Sequence, residues 1–496
     1  MQKKQTILVV ASLLVVVLSV TLAYFTAQII GKGKIVTINS ADLKIIFTDS
    51  DGSISGTNIE PGKWNVTKTF TIENKSNETY KYNIVIQDLV NTFVTNGYLQ
   101  YKITSTNGGY NMTEFKDVPK SETATDTILA YSVSISVGVT QSYTVEFKYA
   151  NDESVDQSND MGKKLSGTLF ITEGTEDPNK TLYNQLLVDK STKLTRTDFS
   201  KVLTDNNTNT LYTGVEDSKT VYYFAGNATD NWVKFGKNAS NQDLYWRIIR
   251  TNSEGSIRLL YHGTSTTATD AYIGTSAFNS SYDNIAYVSY MYGSLGSISS
   301  ARENTNNSTI KTTIDNWYIS NLEAKGYTKY LSTSAVYCND RSISSDSINF
   351  GAFTRLGTNK TPSYDCAATE DKFTVDTSTG NGKLTYPIAL MTADEVSFAG
   401  GLYGANTPTW YYYNSVNGSS TGSKFWWLLS PLDSSTSGSS MFIVRGSSNP
   451  GRLNYNYVYS NNGVRPALSL KSCVKYSSGD GSANEPYTIK ETETGC

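Results

Sequence analysis

The stretch Arg445–Asn462 concentrates the side chains best suited to recognition. Arg445, Asn449, Arg452, Asn454, Tyr455, Asn456, Tyr457 and Tyr459 lie within eighteen positions, and Trp426 lies just upstream. Tyrosine brings a large contact area at low entropic cost, and asparagine brings adaptable hydrogen bonds. Sugars suit such a surface, because their faces stack on rings while their hydroxyls meet amides. The i, i+2 spacing of Tyr455, Tyr457 and Tyr459 also fits one face of an ordinary edge strand. Both readings stand at this level. One of Trp426 and Trp427 is a further contact candidate, since consecutive strand positions face opposite sides.

Catalytic constellations are harder to assemble. His262 is the sole histidine. It sits between Tyr261 and Gly263 and reads as a turn residue. Gly418-Ser419-Ser420-Thr421-Gly422 matches a nucleophile elbow in letters, but that motif works only between a strand and a helix. Here it falls in a Ser/Gly-rich loop. Asp394 and Glu395 are adjacent at a helix start, where carboxylates stabilise the N-terminus. No phosphate-binding loop or dinucleotide fingerprint is present. No catalytic residue, metal ligand or cofactor is therefore expected, and the chain reads as non-catalytic.

Lys3 and Lys4 precede an apolar run from Ile7 to Phe25. This is the pattern of a signal peptide or signal anchor. The run is just long enough to span a bilayer, and everything after it is expected outside the cell. Residues 7–25 would contact membrane if uncleaved. Four cysteines follow: Cys338, Cys366, Cys473 and Cys496. They allow three pairings. In an exported protein two local bridges are expected, Cys338–Cys366 and Cys473–Cys496, with buried free thiols as the alternative. The net charge of −3 and the lack of an arginine-rich stripe argue against nucleic acid as a partner.

At 496 residues the chain should hold about two to four domains. Charged residues make up only 18%, while tyrosine fills 35 positions among many Ser, Thr, Asn and Gly, which favours β structure with polar turns. Short alternating stretches between 35 and 173 read as strands of a sandwich, among them Leu43–Phe47, Tyr80–Ile86, Ser132–Val139 and Tyr143–Tyr149. Residues 174–215 read as a polar linker holding one short helix, Thr181–Asp189. Beyond it, strands at Leu244–Ile249 and Ser256–Tyr261 mix with a helix at Thr309–Lys325 capped by Ser308. Thr392 and Glu395 are placed as a capping box.

Two resemblances follow from these residues. Ala23-Tyr24-Phe25-Thr26, the Ile35–Phe47 strand pair, Pro61-Gly62, Phe70-Thr71-Ile72-Glu73-Asn74 and Tyr80–Ile86 resemble the TasA/camelysin family of exported bacterial proteins. That resemblance implies a jelly-roll-like sandwich, cleavage near Tyr24-Phe25, and self-assembly in which Tyr24–Ile30 completes a neighbour's sheet. Another set of blocks is similar to the bacterial domain family DUF6273. They are Tyr245-Trp246-Arg247-Ile248-Ile249, Cys338-Asn339-Asp340-Arg341, Tyr386-Pro387, Met391–Val396, Trp426-Trp427-Leu428-Leu429-Ser430-Pro431 and Gly463–Leu468. Their closing pattern looks like the end of C-type-lectin-like folds. The Glu-Pro-Asn motif of calcium-dependent lectins is absent, so calcium-mediated sugar binding is not implied. The expected organisation is a signal or anchor at 1–27, a sandwich at 28–173, a linker at 174–215 and a lectin-like α+β domain at 216–496. The expected protein is mostly β and sits on the outer face of a bacterial cell, anchored, secreted or fibre-associated. It would bind an extracellular glycan or protein, or serve as a structural fibre or envelope component, or be a secreted carbohydrate-active enzyme.

Overall fold

The computed structural model describes residues 35–40, 43–49, 53–56 and 60–496, except 179, 269–270, 344–348, 412–424, 436–437 and 447–448. The apolar run at 7–25, the 1–27 boundary, the Tyr24–Ile30 segment and Gly418–Gly422 lie outside the described residues. Among the described residues no helix is long and apolar enough to cross a membrane. Strand accounts for 40% and helix for 14% of the described residues, so the structure is mostly β. It divides into two compact units, at Pro178 and Asn179.

The first unit is sandwich-like. One sheet orders Ile35–Ser40, Leu43–Asp49, Asn65–Asn74, Thr140–Tyr149, Leu99–Ser105 and Lys116–Asp117. The other orders Ser53–Gly56, Leu165–Glu173, Tyr80–Asn91 and Ser121–Ile135. Alternation does the sorting: in Thr140–Tyr149, Gln141, Tyr143, Val145, Phe147 and Tyr149 are all buried while the residues between them are not. Tyr143, Val145, Phe147 and Tyr149 share one core with Ile84, Ile86, Leu169 and Ile171 of the other sheet. Phe70 stacks on Tyr143 at 4.7 Å, and the Tyr143 hydroxyl meets that of Tyr82 across the core. The strand expected at Ser132–Val139 instead ends at Ile135 and starts at Ser121. Gly138, at φ +71, makes the turn into the next strand.

The second unit absorbs most of the expected linker. Thr181 caps the helix Leu182–Asp189 by accepting from the Asn184 N–H, and Leu182 and Leu186 are buried in the core of this unit. Lys190 then forms a buried ion pair with Asp230 at 2.8 Å. Thr192–Thr195 and Thr210–Glu216 pair in parallel within a ten-stranded sheet. Polarity misled the linker reading, because exposed strand faces and satisfied polar groups have loop-like composition. The helix at Thr309 is capped by Ser308, which accepts from Lys311 N–H, and it turns to π geometry over Ile319–Glu323.

Five strands build the second sheet of this unit, in the order Thr275–Ser276, Asn462–Gly463, Trp426–Ser435, Gly438–Val444, Leu453–Tyr457. Gly438–Val444 is buried throughout, so the sheet is sealed up to its last strand. Both expected disulfides are present, Cys338–Cys366 with Cα atoms 5.8 Å apart and Cys473–Cys496 with Cα atoms 5.1 Å apart. Such bonds persist in oxidising surroundings. Replacing Cys338 and Cys366 together by alanine should cost about 3–4 kcal/mol, by closure entropy of a loop of this size. Denaturant titration of the oxidised pair against the double variant measures it. An unchanged midpoint would mean that the packing alone already holds that loop.

Candidate functional site

Several blocks noted in the sequence converge inside the second unit. The helix Ala393–Phe398 opens with a full capping box between Thr392 and Glu395. Glu395 Oε2 accepts from Thr392 N–H at 2.9 Å. Its Oε1 accepts from Arg250 Nε at 2.9 Å and from an Arg258 guanidinium nitrogen at 2.8 Å. Arg250 also reaches Glu216 at 2.7 Å. Beside it Arg355 makes a two-pronged pair with Asp394 (2.9 and 3.0 Å) and a further bond to Asp340 (2.7 Å). Asp371 takes both Arg341 (2.7 Å) and Arg302 (2.6 Å).

Electrostatics here follow burial and pairing. Desolvation pushes the Glu395 carboxyl up, but Arg258, Arg250 and the Thr392 N–H outweigh it and hold the group below its ordinary value. Glu216 is likewise lowered, burial being overcome by Arg250 first. The space between these groups is a cavity of ≈ 20 Å³, room for about one water. This hub fixes helix to sheet and has no room for a substrate. Asn339 belongs to the same scaffold: its amide nitrogen donates to the Leu429 carbonyl (2.9 Å) and its oxygen accepts from Tyr290 N–H (2.9 Å).

The second place is open. Leu453–Tyr457 is the outermost strand of the five-stranded sheet, with Tyr455 opposite Phe442. The turn before it brings Arg445 and Arg452 together, the Arg445 N–H donating to the Arg452 carbonyl at 2.9 Å. Gly451, at φ +68, lies against the Thr407 carbonyl and the Trp410 indole, where a Cβ would collide. Tyr403 bridges to Leu453 and packs on Phe353 and Phe442. Between these elements lies a depression of ≈ 450 Å³ lined by Tyr403, Gly404, Arg445, Arg452, Asn454, Tyr455, Asn456 and Tyr457.

Of the nine residues selected from the sequence, six line this depression and one supports it. Arg445, Arg452, Asn454, Tyr455, Asn456 and Tyr457 line it. Asn449 supports it, its side-chain oxygen accepting from Arg452 at 3.2 Å. Tyr459 is not among the lining residues; it stacks on Tyr457 at 5.6 Å and meets Tyr282 at 4.9 Å, extending an aromatic ledge. Tyr455, Tyr457 and Tyr459 are 39%, 46% and 49% exposed, unusual for rings in a unit whose core is so closed. Trp426 corrects the expectation: it is fully buried, packs against the Arg465 guanidinium at 4.8 Å, and cannot touch a ligand. Trp427 is equally buried. His262 is a strand residue buried against Trp232, not an exposed turn, and burial beside Arg465 and Arg247 holds it well below its ordinary pKa.

Tyr403 and Gly404 were missed. Nothing local marks them, because their place depends on a bridge to a strand fifty residues away. Edge protection was also unforeseen: the side-chain oxygens of Asn454 and Asn456 accept from the N–H groups of Tyr455 and Tyr457 (2.9 and 3.0 Å). The alternating asparagines thus cover donors that an edge strand leaves open.

The chain matches no protein-family model, no curated protein and no solved structure.

Proposed function

We propose that this chain is an exported bacterial surface protein without catalytic activity, and that its second unit binds an extracellular glycan or protein through the Tyr403–Tyr457 depression. On this reading the first unit is a TasA/camelysin-like jelly roll that carries or assembles the binding unit, and the second is a DUF6273-like, C-type-lectin-like domain. One observation carries the proposal: exposed tyrosines, two arginines and asparagine amides meet around one open depression. Recognition surfaces are enriched in those residue types. Among the described residues the lining holds no carboxylate, histidine or cysteine, the groups a glycosidase would need for its acid–base pair. Two disulfides suit an extracellular location.

The test is an array of glycans and surface proteins probed with the full chain and with a Tyr455→Ala/Tyr457→Ala variant. Binding should fall at least about tenfold in the variant, equivalent to about 1.4 kcal/mol or more. Its thermal transition should be unchanged, because both side chains are exposed. Binding by neither protein would transfer the weight to a structural fibre or envelope role and to the segment before residue 35.

A further inference from the structure

The unused hydrogen-bonding capacity of the depression is one-sided. Among the described residues, neither Arg445 nor Arg452 has a carboxylate within ion-pair distance. Elsewhere in the same unit Arg250, Arg258, Arg302, Arg341 and Arg355 each hold an acid, while Arg196, Arg247 and Arg465 donate to backbone carbonyls or an amide oxygen. The Nε–H of Arg445 and that of Arg452 are shielded from water and have no acceptor among the described residues. Arg445 lies over the Phe425 ring at 5.1 Å, and Arg452 has only the Asn449 amide oxygen. The amide oxygens of Asn454 and Asn456 are already occupied by their own strand's N–H groups. The Asn454 amide nitrogen has no partner among the described residues. Among the side chains, donors therefore remain and acceptors are spent, apart from tyrosine hydroxyls, which serve either way.

A donor-rich concavity selects an acceptor-rich ligand. A planar guanidinium fork matches a carboxylate or sulfate with two parallel bonds. Asp433, close enough to act on Tyr403, does not cancel this charge. Burial holds its carboxyl above the ordinary range against a hydrogen bond from Ser440, and it makes no ion pair with either arginine. The neighbouring rings, Tyr455 and Tyr457, supply flat exposed faces of the kind a pyranose covers.

We infer that the depression recognises an acidic saccharide, with the anionic group on Arg445 and Arg452 and the sugar ring on the Tyr455–Tyr457 ledge. This deepens the binding reading above and depends on it. Both guanidinium groups line the open depression, where an anionic group meets charge that no carboxylate among the described residues neutralises.

The experiment uses the full chain in detergent and matched oligosaccharides: hexuronate oligomers, the same oligomers with their carboxylates reduced to alcohols, and sulfated counterparts. A glutamate-rich peptide is the competing probe. Either anionic sugar should bind at least about tenfold more tightly than the neutral twin, and the difference should shrink with salt. Arg445→Gln or Arg452→Gln should abolish the difference, Arg→Lys should restore part of it, and Tyr457→Ala should weaken acidic and neutral twins alike. Equal binding of both twins, with dependence on Tyr457, would overturn the acidic inference and keep the site. Preference for the peptide over every sugar would overturn it in favour of a protein partner. Absence of all binding would overturn the inference and the site together. If a glutamine variant loses its cooperative melting, the lysine variants decide: full binding with the fork removed would overturn the guanidinium role.

Discussion

Replacing Glu395 by alanine should destabilise the second unit by about 3–5 kcal/mol, because it strands buried positive charge. Glu395 is 2% exposed, and its partners Arg250 and Arg258 are 3% and 1% exposed. Arg250 keeps Glu216, whereas the ion-pair partner of Arg258 is Glu395 alone among the described residues. The capping box disappears with the same change, which exposes the first turn of Ala393–Phe398. Glu395→Gln separates the two contributions, since an amide oxygen still accepts but carries no charge. It should recover part of the loss. The same group makes a pH prediction. Glu395 and Glu216 are both held below their ordinary value of 4.5 in the folded chain. Lowered folded values mean that the unfolded chain binds more protons in this range, so the stabilisation is complete above pH 4.5 and drains away as pH falls through the folded values. Urea midpoints measured from neutral to acid pH should fall less steeply for Glu395→Gln than for the native chain. Parallel profiles would show that Glu395 does not carry the acid sensitivity.

What could be read from the sequence divides by distance along the chain. Thr392 and Glu395 are three residues apart, and Ser308 caps its own helix, so both were legible. The cysteine bridges close loops of 28 and 23 residues and were also found, since local pairing was the simpler expectation. In the first unit the strands expected at Tyr80–Ile86 and Tyr143–Tyr149 were found, whereas the one expected at Ser132–Val139 runs over Ser121–Ile135. The salt-bridge partners of Glu395 lie 137 and 145 residues away, and no local pattern points to Arg258 or Arg250. Asp394 and Glu395 were read as charges at a helix start, whereas Asp394 pairs with half-buried Arg355 and Glu395 with buried Arg250 and Arg258. Trp426 was chosen because aromatic residues serve both cores and ligands, and only the burial of its strand distinguishes the two. Tyr455 and Tyr457 lie instead on the sheet's edge strand, where their rings are exposed. For residues 174–215, a polar face and satisfied polar groups hid structure that packs through only a few apolar anchors such as Leu182 and Leu186.

Trp427→Ala should cost about 3–5 kcal/mol, the range for emptying a large aromatic site in a closed core. The ring is fully buried, packs edge-on to Phe278 at 5.8 Å, and donates through Nε1 to the Ser276 carbonyl at 2.8 Å. Removal leaves a cavity and a carbonyl without its donor, and these effects add. Ser276 belongs to the strand that pairs with Asn462–Gly463, and Trp427 itself pairs with Ile443 of the strand next to Leu453–Tyr457. The loss should therefore loosen the whole sheet that carries the depression. Tyr457→Ala, on the edge of that sheet and 46% exposed, should move stability by no more than about 0.5 kcal/mol. Denaturant titration of both variants measures the contrast. Two buried strands thus hold an exposed one in place. A Trp427→Ala cost below about 1 kcal/mol would mean the cavity collapses and the edge strand is held from elsewhere.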